Sequence, residues 1–233
     1  MYSIDLVVFD MAGTTIRDDD AVNRVFRTVM ESEGLTITES DANAVMGLPK
    51  PVSVRLLLEK YGRPVNPQVV ERLHRRFVDQ MLEYYRTYGA EAAPGAEDAL
   101  VYLKERGIAV YLDTGFSRNI ADVILERLRW RERGWIAGSV TSDEVERGRP
   151  FPDMIHVAMA ATGVSNPARV AKVGDTPSDL NQGRAARCAL IVGVLSGASS
   201  RDELLIHPHH HLIPDVSFFP AVLEGRYDDS FVS

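Results

Sequence analysis

The sequence predicts an α/β fold: a doubly wound parallel sheet with an all-helical domain inserted after its first strand. Three observations carry this expectation. Short apolar, β-branched runs recur along the chain with helical patterns between them, the alternation that builds a parallel sheet covered on both faces. Residues 17–90 interrupt that alternation with helical periodicity alone. Several runs also end on Asp, Thr or Gly, which puts reactive groups beyond the carboxyl ends of strands, where such sheets bind ligands.

The first run, residues 4–9, is apolar, stops at Asp10 and reads as a buried strand. Over residues 17–90 apolar side chains repeat at three- and four-residue spacing: Val22, Val25, Phe26 and Val29, then Val54, Leu57, Leu58 and Tyr61, then Leu73, Phe77, Met81 and Leu82. These are amphipathic helix faces. Pro51 suits the first turn of the middle helix and places Lys50 near its N-cap. Ala93-Pro94-Gly95 is a turn signal at the return. The expected domains are therefore a core of 1–16 with 91–233 and a helical cap of 17–90. Helices are expected over 98–106, 119–130, 152–162 and 178–186, and strands over 108–112, 135–140, 169–173, 189–195 and 212–213.

Composition narrows the function. The 233 residues carry 26 Lys plus Arg against 33 Asp plus Glu, a formal charge of −7, and no long basic run. That argues against a nucleic-acid or anionic-membrane binder. With 45% hydrophobic and 25% charged residues, a packed core is expected and wholesale disorder is not. Cys188 is the only cysteine, so no intramolecular disulfide forms and a reducing compartment is the natural setting. No apolar run reaches the roughly 18 residues of a membrane span, and the first residues lack the basic start of a signal peptide. A soluble cytoplasmic protein is expected.

Four segments at strand ends carry the chemistry. In Asp10-Met11-Ala12-Gly13-Thr14-Thr15, a carboxylate at a strand tip could act as a nucleophile beside backbone N–H donors. Thr114-Gly115 adds a hydroxyl and a tight turn. Gly148-Arg149-Pro150 supplies a cation able to fork two phosphate oxygens. Asp175 and Asp179, four residues apart, could join Asp10 around a small hard cation such as Mg²⁺.

In order and approximate spacing these segments resemble the haloacid dehalogenase superfamily of hydrolases, which implies a Rossmann-like core and Asp10 as a nucleophile that becomes an aspartyl-phosphate. The resemblance assigns Mg²⁺ to Asp10, Ala12, Asp175 and Asp179. Ala12 stands where most phosphatases of the superfamily carry a proton-donating aspartate. Alanine there, within Asp-x-Ala-Gly-Thr-Thr, is similar to the phosphonatase branch. So is the Met46-Gly47-Leu48-Pro49-Lys50 segment, which implies that Lys50 is a catalytic lysine, and so is the run Lys172 to Thr176. The implied reaction is cleavage of the P–C bond of a small carbonyl-bearing phosphonate of the phosphonoacetaldehyde type. Asp10 attacks phosphorus, Lys50 forms a Schiff base that accepts the carbon electrons, and Arg149 and Thr114 hold the phosphonyl oxygens. Ala12, Gly13, Thr14, Met46 and Gly115 line the substrate. An enamine-forming lysine makes the oxygen-protonating aspartate unnecessary. Burial against Met46 and Leu48 and the start of a helix would lower the Lys50 pKa from its ordinary ~10.4.

Three positions depart from that branch: Ser53 replaces its histidine, Phe116 its tyrosine, and Asp153 follows Pro152 in place of tryptophan. The alternative is a phosphomonoesterase acting on a small phosphorylated metabolite. A dehalogenase would leave Asp175 and Asp179 without a role, and a silent phosphate-binding protein is a distant third. The resemblance also implies a homodimer through the cap. His207, His209, His210 and His211 lack zinc-site spacing and read as a solvated loop, Cys188 as a small buried hydrophobe, Trp130 and Trp135 as core or helix-end packing, and 127–133 as a charged helix face.

Overall fold

The computed structural model describes residues 2–228. After β1 (Leu6–Asp10) come four helices, α1 (Ala21–Glu31), α2 (Glu39–Asn43), α3 (Lys50–Lys60) and α4 (Pro67–Tyr88). The alternating part follows: α5 (Ala96–Glu105), β2 (Ala109–Thr114), α6 (Arg118–Leu128), β3 (Gly138–Thr141), α7 (Asp153–Thr162), β4 (Val170–Gly174), α8 (Pro177–Ala185), β5 (Leu190–Val194), α9 (Arg201–Leu205), β6 (His211–Ile213) and α10 (Phe219–Leu223). The six strands form one parallel sheet in the order β3-β2-β1-β4-β5-β6. The chain winds outward from β1 on one side and then crosses back to β4, so the order reverses between β1 and β4. A crevice opens at such a reversal, beyond the carboxyl ends of the strands.

Both faces of the sheet are covered, which is why its strands read as continuous apolar runs. Val7 and Phe9 of β1 join the larger core, with Leu112, Val173 and Phe219. Leu6 and Val8 point the other way, into a second cluster with Ile155, Leu180 and Leu204. In α4, Leu73, Phe77, Met81 and Tyr85 recur every four residues and are buried. Each such side chain contributes about 1.5–3 kcal/mol on burial. Asn66 caps this helix by accepting the Gln68 N–H at 2.8 Å, and Pro67 opens it.

Helices α1 to α4 pack on one another, and α4 also rests on α6 of the sheet layer. The chain leaves for this helical insert and returns from it along two neighbouring segments. Arg17 N–H donates to the Glu91 carbonyl at 3.0 Å and Ala93 N–H to that of Thr15 at 2.9 Å. Among the described residues no helix is long and apolar enough to cross a membrane.

Three local expectations need correction. Strand β2 runs on to Thr114 rather than stopping at 112, and buries Asp113 completely. Helix α6 ends at Leu128, where Arg129 takes a left-handed conformation (φ 58°), so 127–133 is no continuous helix face and β3 begins only at Gly138. Trp130 stops the helix by turning inward, fully buried, with its Nε1–H donating to Glu97 at 2.9 Å. The histidines are not simply solvated. His210 Nδ1 accepts the Ile191 N–H at 3.0 Å and His207 meets Asn181 at 3.2 Å, so they fasten the loop before β6 to β5 and α8. Cys188 is buried, and burial pushes its thiol up to about 12, which makes it an inert packing residue.

Candidate active site

Strand register brings the acids together. Asp10 lies beside Asp113 and Phe9 beside Val173, so the ends of β1, β2 and β4 present Asp10, Asp113, Thr114 and Asp175 to one crevice. Asp179 enters from the first turn of α8, whose N-cap Thr176 donates its hydroxyl to the Asp179 carboxylate. All four carboxylates are buried.

Two buried cations thread this cluster. The Arg149 guanidinium lies 2.7 Å from Asp10, 2.6 Å from Asp113 and 3.1 Å from Asp179. Lys172, fully buried on β4, pairs with Asp113 and lies 2.9 Å from Asp179. Asp175 sits apart from these cations and is tethered by the Ala198 N–H at 2.7 Å and the Thr14 hydroxyl at 3.4 Å.

The pKa directions follow the imbalance. Burial pushes Asp10 up to about 6, with Arg149 opposing and Asp179 reinforcing the rise. Burial, then Asp10 and Asp179, hold Asp175 well above the carboxylate range. Burial alone would also raise Asp113, but Arg149 and then Lys172 bring it below its ordinary value. Arg149 and Lys172 thus balance Asp113 and one further carboxylate, and like charges remain crowded beside them. Asp113 Oδ2 is buried without a hydrogen-bond partner among the described residues. A hard divalent cation fits this all-oxygen donor set.

Among the described residues, the carboxylates that lie close enough together to hold a metal ion are Asp10, Asp113 and Asp179. The sequence assignment omitted Asp113 and used Ala12 and Asp175, which lie outside that group. Two of the backbone amides in the Asp10–Thr15 segment are already used. Gly13 N–H donates to the Ile16 carbonyl at 2.9 Å and Thr14 N–H to that of Met11 at 3.2 Å, so the turn consumes both. Thr114 Oγ accepts the Phe116 N–H at 3.1 Å, which leaves its own hydrogen to donate.

The helical insert covers the crevice. A cavity of about 50 Å³ is lined by Asp10, Ala12, Gly13, Asp18, Met46, Lys50, Thr114, Gly115, Phe116, Arg149 and Asp175, among others. At roughly 10–15 Å³ per water, that space holds only a few small groups. Lys50, the first residue of α3, is buried there. Its Nζ lies 3.8 Å from the Met46 sulfur and about 5.5 Å from the Phe26 and Phe77 ring centres. Burial lowers it to about 8, although Asp18 and Asp10 pull the other way. Ser53 does not reach the cavity, because its hydroxyl donates to the Val45 carbonyl at 2.9 Å.

Gly47 explains how the insert comes so close. It has φ +76°, and a Cβ there would lie 2.3 Å from Thr176 Oγ1 and from Ser178 Oγ. Thr176 cannot yield freely, since it caps α8 and holds Asp179. Gly47→Ala adds about 1–2 kcal/mol of backbone strain and lifts the loop carrying Met46 and Lys50. Its kcat/KM is expected to fall about tenfold or more; steady-state kinetics equal to wild type would contradict this closure contact.

A buried carboxylate and a buried amine lining one small cavity suit a hydrolase rather than a binding module. A profile of the haloacid dehalogenase-like hydrolases matches residues 4–187, and the chain belongs to that family. A phosphonoacetaldehyde hydrolase of Bacillus cereus (strain B4264) is 30% identical over 209 residues, covering 84% of this chain and 77% of that protein. Among solved structures, a hydrolase from Pseudomonas syringae has a TM-score of 0.85 at 21% identity, covering 96% of this chain and 100% of its own. A phosphonoacetaldehyde hydrolase-like protein from Oleispira antarctica has a TM-score of 0.81 at 23% identity, covering 96% and 92%.

Proposed function

We propose that this cytoplasmic hydrolase cleaves the P–C bond of a small carbonyl-bearing phosphonate, phosphonoacetaldehyde being the simplest, through an aspartyl-phosphate on Asp10 and a Schiff base on Lys50. The observation that carries the reading is the position of Lys50: buried, lowered to about 8, and lining the same small cavity as Asp10. A phosphatase needs no such amine. A phosphonatase does, because the carbanion left by P–C cleavage is a poor leaving group.

In this reading the Lys50 amine adds to the aldehyde and water leaves, giving an iminium. Asp10 then attacks phosphorus, and the P–C electron pair moves into the iminium to form an enamine. Arg149 turns toward the phosphonyl oxygens, and the Thr114 hydroxyl donates to one of them. Protonation of the enamine carbon and hydrolysis free the aldehyde and Lys50, while water releases phosphate from Asp10. Mg²⁺ would be held among Asp10, Asp113 and Asp179, with Asp175 lining the cavity beside them, and it would neutralise charge on the phosphoryl oxygens.

The sign of the pH dependence follows from Lys50. Below its pKa it is an ammonium and cannot attack, so imine formation is expected to rise with pH and level off near 8. The readout is the initial rate of borohydride-trapped adduct with phosphonoacetaldehyde. A rate still climbing toward pH ~10 would mean an ordinary solvated lysine. Ser53, bonded away from the cavity, favours one second reading, a phosphomonoesterase. Phosphate release from small phosphate esters with no adduct on Lys50 would decide for it.

A further inference from the structure

We propose that Asp18 is the proton relay for Lys50, doing from the start of the helical insert the work that no histidine in this cavity can do. The inference deepens the Schiff-base reading above and rests on it. The titratable or charged side chains lining the cavity are Asp10, Asp18, Lys50, Arg149 and Asp175. Asp10, Arg149 and Asp175 belong to the carboxylate cluster at the strand ends. Asp18 alone stands on the Lys50 side, outside that cluster.

Its placement is fixed by the local fold. The Asp18 carbonyl accepts the Ala21 N–H at 2.9 Å, and its Oδ1 accepts the Val22 N–H at 3.2 Å at the beginning of α1. Among the described residues Oδ2 has no hydrogen-bond partner. Among the described residues Lys50 Nζ likewise has no carboxylate at ion-pair distance; it lies beside the Met46 sulfur and two aromatic rings. Yet Asp18 is the charged group acting most strongly on that amine. Both line one cavity without a hydrogen bond or ion pair between them, so a substrate oxygen bound there would meet carboxylate and amine together. Burial pushes Asp18 up to about 6 against the pull of the Val22 N–H, a value suited to exchanging protons near neutrality.

The steps balance. Asp18 takes one proton from the Lys50 ammonium, leaving a neutral amine and a carboxylic acid. The amine adds to the aldehyde carbon, and its second proton passes to the new alkoxide, giving a neutral carbinolamine. Asp18 returns its proton to that hydroxyl, the C–O bond breaks, and water leaves. The nitrogen lone pair closes the iminium, which keeps one hydrogen, and Asp18 is again a carboxylate.

Asp18→Asn separates a relay from a mere neighbour by the sign of the change. Asn retains an acceptor for the Val22 N–H but carries no charge. Since Asp18 raises the Lys50 pKa, a purely electrostatic or structural role makes the amine more available without it, and trapping at pH 7 speeds up or holds steady. A relay makes trapping slower, by about 10²–10⁴-fold, with partial recovery in Asp18→Glu. The experiment follows borohydride-trapped Lys50 adduct against time in wild type, Asp18→Asn and Asp18→Glu with phosphonoacetaldehyde and Mg²⁺. Slow trapping in Asp18→Asn with recovery in Asp18→Glu supports the relay. Wild-type rates in Asp18→Asn overturn it while the Schiff-base reading stands. Absence of any adduct in wild type overturns that reading, and the relay with it.

Discussion

Lys50→Arg is expected to abolish P–C bond cleavage, lowering acetaldehyde production by about 10⁴-fold or more, the scale of losing a covalent catalyst. The substitution retains a positive charge and similar length. It removes the one property the chemistry requires, a nitrogen that loses its proton near neutrality and condenses with a carbonyl, since a guanidinium stays protonated. The surroundings of Lys50 make the loss specific. Its Nζ lies 3.8 Å from the Met46 sulfur and over the Phe26 and Phe77 rings, in the cavity that Asp10 also lines. Coupled assays for acetaldehyde and for phosphate check both products. Cleavage at wild-type rates in Lys50→Arg would remove the Schiff base from the account. Phosphate release from esters that survives the substitution would assign the chain to phosphomonoesterases.

The largest stability effect is expected at Lys172. Its ammonium is fully buried between Asp113 and Asp179, and Asp113 is itself fully buried. Lys172→Met preserves much of the volume and removes the charge, leaving the acids with Arg149 alone. Breaking a buried pair from one side costs about 3–5 kcal/mol. At about 2–4 °C per kcal/mol for a chain of this size, Tm should fall by roughly 6–20 °C. Asp113→Asn added to Lys172→Met removes the stranded charge and should restore part of the loss, the coupling expected of residues in one network. Thermal unfolding of the two variants checks this. A Lys172→Met melting curve within a degree or two of wild type would mean that the network is solvated.

The alternation of strands and helices, the helical stretch over 17–90 and the segments around Asp10, Thr114, Arg149 and Asp175 were all legible in the sequence, because hydrophobic period and turn residues are local signals. What was not legible depends on register and on long-range pairing. Asp113 reads as the polar end of a strand until β2 is laid beside β1 and Asp113 falls next to Asp10. Lys172 is one polar residue in an apolar run, and its job appears only when two acids from distant segments meet it. The Gly13 and Thr14 amides resemble free donors in sequence, yet the turn that positions Asp10 consumes both. Asp18 is one of three consecutive aspartates; only the packing of the helical insert over the sheet selects it from Asp19 and Asp20.

The most direct test of the central claim, that Asp10 and Lys50 act on one substrate in one cavity, is peptide mass spectrometry of a single turnover. Enzyme in excess over phosphonoacetaldehyde, with Mg²⁺, is quenched in acid or in borohydride and digested. The account expects phosphoryl on the Asp10 peptide in the acid quench and a reduced two-carbon adduct on the Lys50 peptide in the borohydride quench, both within one turnover. Turnover that releases acetaldehyde and phosphate while leaving either peptide unmodified would contradict it.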